Sequence, residues 1–295
     1  MKIDVVFSGG GVKSFAFLGV LRILHKNNFQ IERVAGTSAG AIVAGLLAAN
    51  YSLKDIEEII SEVDVKKFLD KPALSKLIPL SKWFYLYYKM GFYKGDYMEE
   101  WIYDQLAKKK IFTFSDIKPG YLKVVVSDLS LGKLVVIPDD LEQIYGLNPA
   151  HFPIAKAIRM SAGYPYLFMP SKISGKSPTE SLVVDGGLLS NYPLWIFDQP
   201  NKQNLRPVLG VKLSGNTAFE DPKRIKNLLE MSFSMFTTMK QAHDLRYVSA
   251  SHQKNTIYIP ISHVDTTDFQ IKVNDREHLI GLGEQSASEF LMKWP

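Results

Sequence analysis

A serine set between glycines, a glycine triplet and an aspartate closing an apolar strand are the residues of this chain with the types and spacing to do chemistry. The serine lies in Gly36-Thr37-Ser38-Ala39-Gly40. Arg33-Val34-Ala35 before it suits a short buried strand, and the run Ala39 to Ala49 suits a buried helix. A G-x-S-x-G pentapeptide between a strand and a helix has the form of a nucleophile elbow. Gly36 and Gly40 allow a tight turn with closely packed neighbours, and Ser38 then projects its hydroxyl over a helix N-terminus that favours developing negative charge. A plain turn accounts for the pentapeptide when it stands alone, so the neighbouring segments decide.

The first strand, ending Ile3-Asp4-Val5-Val6-Phe7, runs into Ser8-Gly9-Gly10-Gly11-Val12-Lys13-Ser14, and a helical pattern begins at once with Phe15, Leu18, Leu21 and Leu24. Three glycines between strand and helix leave backbone N–H groups free to cradle an anion, either a phosphate or an oxyanion. The phosphate readings fit poorly. Only Val12 separates the last glycine from Lys13-Ser14, which breaks the P-loop spacing, and the third glycine of a dinucleotide fingerprint is missing although Glu32 stands where a ribose-binding acid belongs. The third element, Leu182-Val183-Val184-Asp185-Gly186-Gly187, is an ordinary turn by itself. After a glycine loop and a serine elbow, Asp185 becomes the natural general base.

These blocks resemble those of the patatin-like phospholipases, a family of lipid acyl hydrolases. A fourth block, Ala157-Ile158-Arg159-Met160-Ser161-Ala162-Gly163-Tyr164-Pro165 with Phe168-Met169-Pro170, resembles the family's segment before the aspartate strand. The resemblance implies a dyad in which Ser38 attacks an ester carbonyl and Asp185 takes its proton directly. It also implies an oxyanion hole from the glycine loop (Gly9, Gly10, Gly11) and Ala39. Two departures stand out. Lys13-Ser14 replaces the usual arginine and glycine, so Lys13 keeps the charge of an anion or loop anchor without the guanidinium fork. Ser190-Asn191 replaces a pair of asparagines.

The six histidines are His25, His151, His243, His252, His263 and His278, and none follows an apolar strand in a glycine-rich turn, where a triad histidine belongs. With no H-E-x-x-H metal motif, no Cys/His cluster and no EF-hand loop, the expectation is no metal and no cofactor. The chain has 295 residues, 46% hydrophobic, no cysteine and a net charge of +5. That composition excludes disulfide and thiol chemistry and fits one large core. The basic balance is compatible with an anionic membrane surface, an acidic substrate or nucleic acid, and no nucleic-acid module is recognisable. The expected partners are a phospholipid or other acyl-ester lipid and a peripheral membrane surface, with oligomeric state open. The expected location is cytoplasmic, without a signal peptide or transmembrane segment. A soluble carboxylesterase or thioesterase with the same dyad, or a non-catalytic lipid-binding relative, remains an alternative.

Positioning these residues requires alternating strands and helices. Strands are expected at 122–127 and 134–137, paired across Leu131-Gly132, and at 182–184, 208–213 and 256–261. Helices are expected at 53–62, from a capping box at Asp96-Tyr97-Met98-Glu99 to about 109, and at 153–161, 223–246 and 275–293. The fold class is α/β: a single domain over 1–295, a three-layer sandwich with a largely parallel sheet between helices, patatin-like in its resemblance, with Ser38 and Asp185 at carboxyl ends of parallel strands. Residues 72–95 differ from the rest. Trp83-Phe84-Tyr85-Leu86-Tyr87-Tyr88, Met90, Phe92 and Tyr93 stand among Lys82, Lys89 and Lys94, an aromatic amphiphile suited to a lid or membrane-facing insertion and equally to a packed hairpin. Met231, Met235 and Met239 form an i, i+4 stripe expected in the core.

Overall fold

The computed structural model describes residues 1–73, 81–198, 206–214, 225–247, 254–261 and 264–294. Along the chain run β1 (Lys2–Phe7), α1 (Ala16–Lys26), β2 (Gln30–Thr37), α2 (Ala39–Ala48) and α3 (Leu53–Glu62), then α4 (Ser81–Lys89), β3 (Gly91–Tyr93) and α5 (Asp96–Lys108). Next come β4 (Leu122–Asp128), β5 (Lys133–Ile137), α6 (Ile154–Ser161), β6 (Tyr166–Phe168), β7 (Ser171–Ile173), β8 (Ser181–Asp185) and α7 (Gly187–Ser190). The last elements are β9 (Val208–Ser214), α8 (Leu228–Tyr247), β10 (Thr256–Pro260) and α9 (Val273–Leu291).

One sheet, ordered β10-β9-β1-β2-β4-β8-β7 with β5 also on β4, forms the middle layer. β10, β9, β1, β2 and β4 are mutually parallel. Parallel strands covered on both faces read as continuous apolar runs, and β1 shows why: Ile3, Val5 and Phe7 enter one core while Val6 enters another. The larger core holds the buried faces of α1, α2, α6 and α9. The smaller one, behind the sheet, joins Val6, Ala35 and Val125 to Tyr192, Leu194, Ile196 and Phe197. The architecture is the mostly parallel α/β sandwich expected.

Four sequence expectations are corrected. β8 pairs antiparallel with β4, so Asp185 does not end a parallel strand. The Asp96 capping box does not form: the helix begins one residue early, with Gly95 as its cap and the Glu99 N–H donating to the Gly95 carbonyl at 3.2 Å, while the Asp70 carboxylate, from farther up the chain, accepts the N–H groups of Gly95 (2.6 Å) and Tyr97 (3.2 Å). Three short strands, β3, β6 and β7, were not anticipated, and β3 pairs with β6 in a separate two-stranded ribbon. The methionine stripe of α8 lies outside the core, with Met231, Met235 and Met239 being 43, 56 and 47% exposed. Residues 74–80 of the aromatic insertion and 223–224 of the expected long helix lie outside the described residues, as do His252 and His263.

Candidate active site

β2 delivers Ser38. The residue sits at φ 55°, ψ −128°, a region rarely occupied by a side-chain-bearing residue, and α2 begins immediately after it. Such a conformation costs on the order of 1–3 kcal/mol and persists only where the surroundings enforce it. The flanking glycines do the enforcing. A Cβ on Gly36 would lie 2.4 Å from the backbone of Gly40, and one on Gly40 would lie 2.6 Å from the carbonyl oxygens of Phe7 and Ser8. The strain therefore sits on the serine, while the glycines permit the close approach.

β8 delivers Asp185 from the opposite direction. β5 occupies one edge of β4 over Val124–Asp128, leaving β2 and β8 to share the other edge. Thr37 stands opposite Val125 and Asp185 opposite Val126, so the two strands abut tip to tip. The junction is tight: a Cβ on Gly186 would meet the Val125 carbonyl oxygen at 2.1 Å and Thr37 Cγ2 at 3.1 Å. Ser38 and Asp185, each at a carboxyl-terminal strand end, consequently meet, with Ser38 Oγ donating to Asp185 Oδ2 at 2.6 Å. Antiparallel β8 achieves the meeting expected of two parallel strand ends.

The electrostatics follow from burial. Asp185 is 2% exposed; its Oδ1 accepts the Gly187 N–H at 2.7 Å. Burial disfavours the ionised carboxylate and pushes its pKa up to about 6, against the lowering effects of the Ser38 hydroxyl, the Gly187 N–H and the charge of Lys240. The group thus has far more proton affinity than an exposed aspartate while remaining mostly ionised at neutral pH.

The glycine loop supplies donors. Gly10 and Gly11, with Ala39 at the start of α2, line the same cavity as Ser38 and Asp185, and their N–H groups meet no acceptor among the described residues. Gly9 is different, because its N–H donates to the Asn191 carbonyl at 3.0 Å. It anchors the loop and leaves Gly10, Gly11 and Ala39 as the available donors. Gly11 takes φ +53°, and a Cβ there would lie 2.0 Å from the Thr266 carbonyl oxygen, so only glycine fits. Lys13 does not line the cavity; its Nζ donates to the Ile261 carbonyl at 3.4 Å, tying the loop to the end of β10. That is the geometry of a loop anchor.

Several contributing residues had no signature of their own. Ser161 on α6 accepts the Ser38 N–H at 2.8 Å and donates to the Val125 carbonyl at 2.6 Å, clamping the elbow to the neighbouring strand. Arg159, buried two residues earlier, donates to the carbonyls of Lys94, Gly95 and Met169, fastening the α4–β3 insertion to the site's wall. Tyr164, Phe236, Lys240 and Phe269 join apolar side chains of α2 and α5 around a cleft of about 940 Å³, its open mouth included. The sequence segment around Arg159 and Ser161 was visible as a block, but nothing in it said which serine hydroxyl would face the elbow. Among the described residues no histidine lines the cleft, and no cluster of His, Cys, Asp or Glu could hold a metal ion. No described helix is long and apolar enough to cross a membrane.

Comparison with known proteins agrees with this architecture. The uncharacterised protein YqhO of Bacillus subtilis (strain 168) is 43% identical over 294 residues, covering 100% of this chain and 99% of that one. The triacylglycerol lipase ptl3 of Schizosaccharomyces pombe is 27% identical over 200 residues, 65% of this chain and 38% of its own. In three dimensions the crystal structure of VipD from Legionella pneumophila superposes with a TM-score of 0.58 at 20% identity, covering 99% of this chain and 67% of VipD, a likeness of fold. The model of the patatin-like phospholipases matches residues 5–198, the span that carries the glycine loop, the elbow, the Ser161 clamp and the aspartate turn. The chain belongs to the patatin-like phospholipase family.

Proposed function

We propose that this protein is a lipid acyl hydrolase of phospholipase A or lysophospholipase type, cleaving carboxylic esters through a Ser38–Asp185 dyad and an acyl-serine intermediate. The observation that carries the proposal is the 2.6 Å hydrogen bond from Ser38 Oγ to Asp185 Oδ2 in a cleft that also exposes unpaired backbone donors. Membership of the family and the likeness to a named lipase support the choice of lipid esters as substrate.

Asp185 Oδ2 takes the hydroxyl proton as Ser38 Oγ bonds to the carbonyl carbon, and the carbonyl oxygen becomes an oxyanion held by the N–H groups of Gly10, Gly11 and Ala39. Each such donor typically contributes about a hundred- to a thousandfold in rate. The C–O bond to the alcohol half breaks, and the proton on Asp185 passes to that departing oxygen. Water then gives a proton to Asp185 while its oxygen attacks the acyl-serine; the Ser38–acyl bond breaks, the proton returns to Ser38 Oγ and the fatty acid leaves. An aspartate of ordinary acidity is a weak base for an alcohol, and burial narrows that mismatch.

Purified protein is tested with phospholipid, lysophospholipid and a soluble short-chain ester, alongside a fluorophosphonate probe for activated serines. Hydrolysis of lipid esters, with probe labelling lost in Ser38→Ala and turnover reduced by orders of magnitude in Asp185→Asn, is the expected result. Turnover of soluble esters or thioesters alone redirects the reading to a carboxylesterase or thioesterase. No turnover and no labelling by a folded protein refutes hydrolysis altogether and leaves a lipid-binding relative.

A further inference from the structure

Helix α8 carries apolar side chains in two directions. Toward the cleft, the ring of Phe236 lies 4.6 Å from that of Tyr164, Phe233 lies 5.9 Å from Tyr164, and Lys240 joins the lining. Roughly 100–160° around the helix stand Leu228, Met231, Met235 and Met239, all exposed. A core helix needs only the first face. The second is left to solvent.

A matching patch lies on α4, where Trp83, Phe84, Tyr87 and Tyr88 are all more than half exposed, followed by exposed Met90. The two patches are joined. Trp83 packs edge-on against Phe92 of β3 at 6.5 Å, β3 pairs with β6, and the half-exposed Tyr166 of β6 packs edge-on against Phe233 of α8 at 6.3 Å. The strip α4–β3–β6–α8 is therefore continuous, and it is edged by the exposed Lys89 and Lys226, with exposed Lys94 paired to Asp96 at 3.6 Å. Leu167 and Phe168 of β6, with Phe236 and Lys240 of α8, are at once neighbours of this strip and walls of the cleft that holds Ser38.

We propose that α4, Tyr166 and the methionine row of α8 form one docking face for a fluid lipid bilayer with anionic headgroups, setting the cleft against the lipid. The inference rests on the acyl-lipid reading above for its purpose, and its chemistry is read from the face itself. Trp and Tyr carry an apolar body with a polar tip, as the headgroup zone demands. Unbranched methionines adapt to a partner without fixed shape. The lysines complement anionic headgroups, and salt weakens that part of the attraction. Because the elements of the face also wall the cleft, an acyl chain can pass from bilayer to Ser38 along apolar surface.

The test uses the whole chain as Ser38→Ala, so that lipid is bound without being consumed, with phosphatidylcholine vesicles made with and without phosphatidylglycerol. Replacing Met231, Met235 and Met239 together by Gln keeps side-chain length and helix propensity. The expected result is a vesicle partition coefficient lowered by about tenfold or more, from the apolar area withheld from lipid. In the background that retains Ser38, the ratio of vesicle to soluble-ester turnover is expected to fall with it. An unchanged partition coefficient in a folded variant overturns the proposal, and so does equal loss of both turnovers with a lowered Tm, which marks a packing role. Because the chain has no cysteine, Met235→Cys carrying a polarity-sensitive dye gives a second reading that needs no triple variant. A blue shift on adding anionic vesicles supports docking. No shift overturns it, as does a shift that follows protein concentration without lipid, which assigns the face to a second copy of the chain. Absence of any ester turnover in the Ser38 protein defeats the hydrolase reading while leaving the vesicle result standing on its own.

Discussion

Replacing Asp185 by asparagine is expected to stabilise the fold while removing activity, and to do so in a pH-dependent way. Burial raises the carboxyl pKa from its ordinary 3.8 to about 6. Between those values the folded state holds a proton that the unfolded state has released, so stability falls as pH rises, and the loss is complete above about pH 6. At roughly 1.4 kcal/mol per pKa unit, two units amount to about 3 kcal/mol of folding free energy forgone at pH 7.5, against about 1 at pH 4.5. Asparagine carries no charge and escapes this cost. It also forfeits one acceptor, since a single carboxamide oxygen cannot serve both the Gly187 N–H and the Ser38 hydroxyl, a loss of about 1 kcal/mol. The net expectation is a gain of about 1–2 kcal/mol at pH 7.5 that disappears by pH 4.5. Urea unfolding of both proteins at the two pH values measures it. In the parent protein, log kcat/KM is expected to climb with unit slope below about pH 6 and level above it if Asp185 is the proposed base, because a general base works only when ionised. An unfolding difference that does not change with pH, or an activity profile with no inflection near pH 6, refutes the assignment of a buried, destabilised base.

Three further outcomes follow from the same geometry. Ser161→Ala removes the acceptor of the Ser38 N–H and the donor to Val125, so kcat is expected to fall about ten- to a hundredfold with KM little changed, at a stability cost of about 1–3 kcal/mol; steady-state kinetics with urea melts separate the two. Gly40→Ala drives a methyl into the carbonyl oxygens of Phe7 and Ser8, and is expected to lower Tm by several degrees and abolish probe labelling, whereas substitution at Gly132, where a Cβ meets nothing within 4 Å, leaves labelling intact despite its local φ strain. Replacing Trp83 and Phe84 together by serine is expected to weaken vesicle binding several-fold with little change in Tm, since both rings are mostly exposed; a fall in Tm with parallel loss of soluble-ester turnover contradicts that.

The elbow and the glycine loop were legible because their constraints are local. A side chain at Gly36 collides with the backbone of Gly40 four residues on, and Gly11 takes a positive φ, so residue type and spacing carry the information. The Leu131-Gly132 turn likewise announced the antiparallel β4–β5 pair. The direction of β8 was not legible. Between β4 and β8 the chain passes through β5, α6, β6 and β7, and the apolar pattern of Leu182–Val184 is the same whichever way a buried strand runs. The α5 cap failed for a related reason: Asp96 and Glu99 have the spacing of a capping box, but the Asp70 carboxylate, arriving from another element, holds the N–H groups of Gly95 and Tyr97, and the helix is capped at Gly95 with the Glu99 N–H on the Gly95 carbonyl. The methionine row is the sharpest instance. An i, i+4 stripe records only that one helix face is apolar, and whether that face meets a core, a partner or solvent is decided by neighbours. On α8 the neighbours, Tyr164 and Tyr166, engage Phe233 and Phe236 instead, which turns the methionines outward beside the exposed aromatics of α4. The same contacts that wall the cleft thus determine which apolar surface is left for a lipid to cover, so cleft and docking face are set by one packing arrangement.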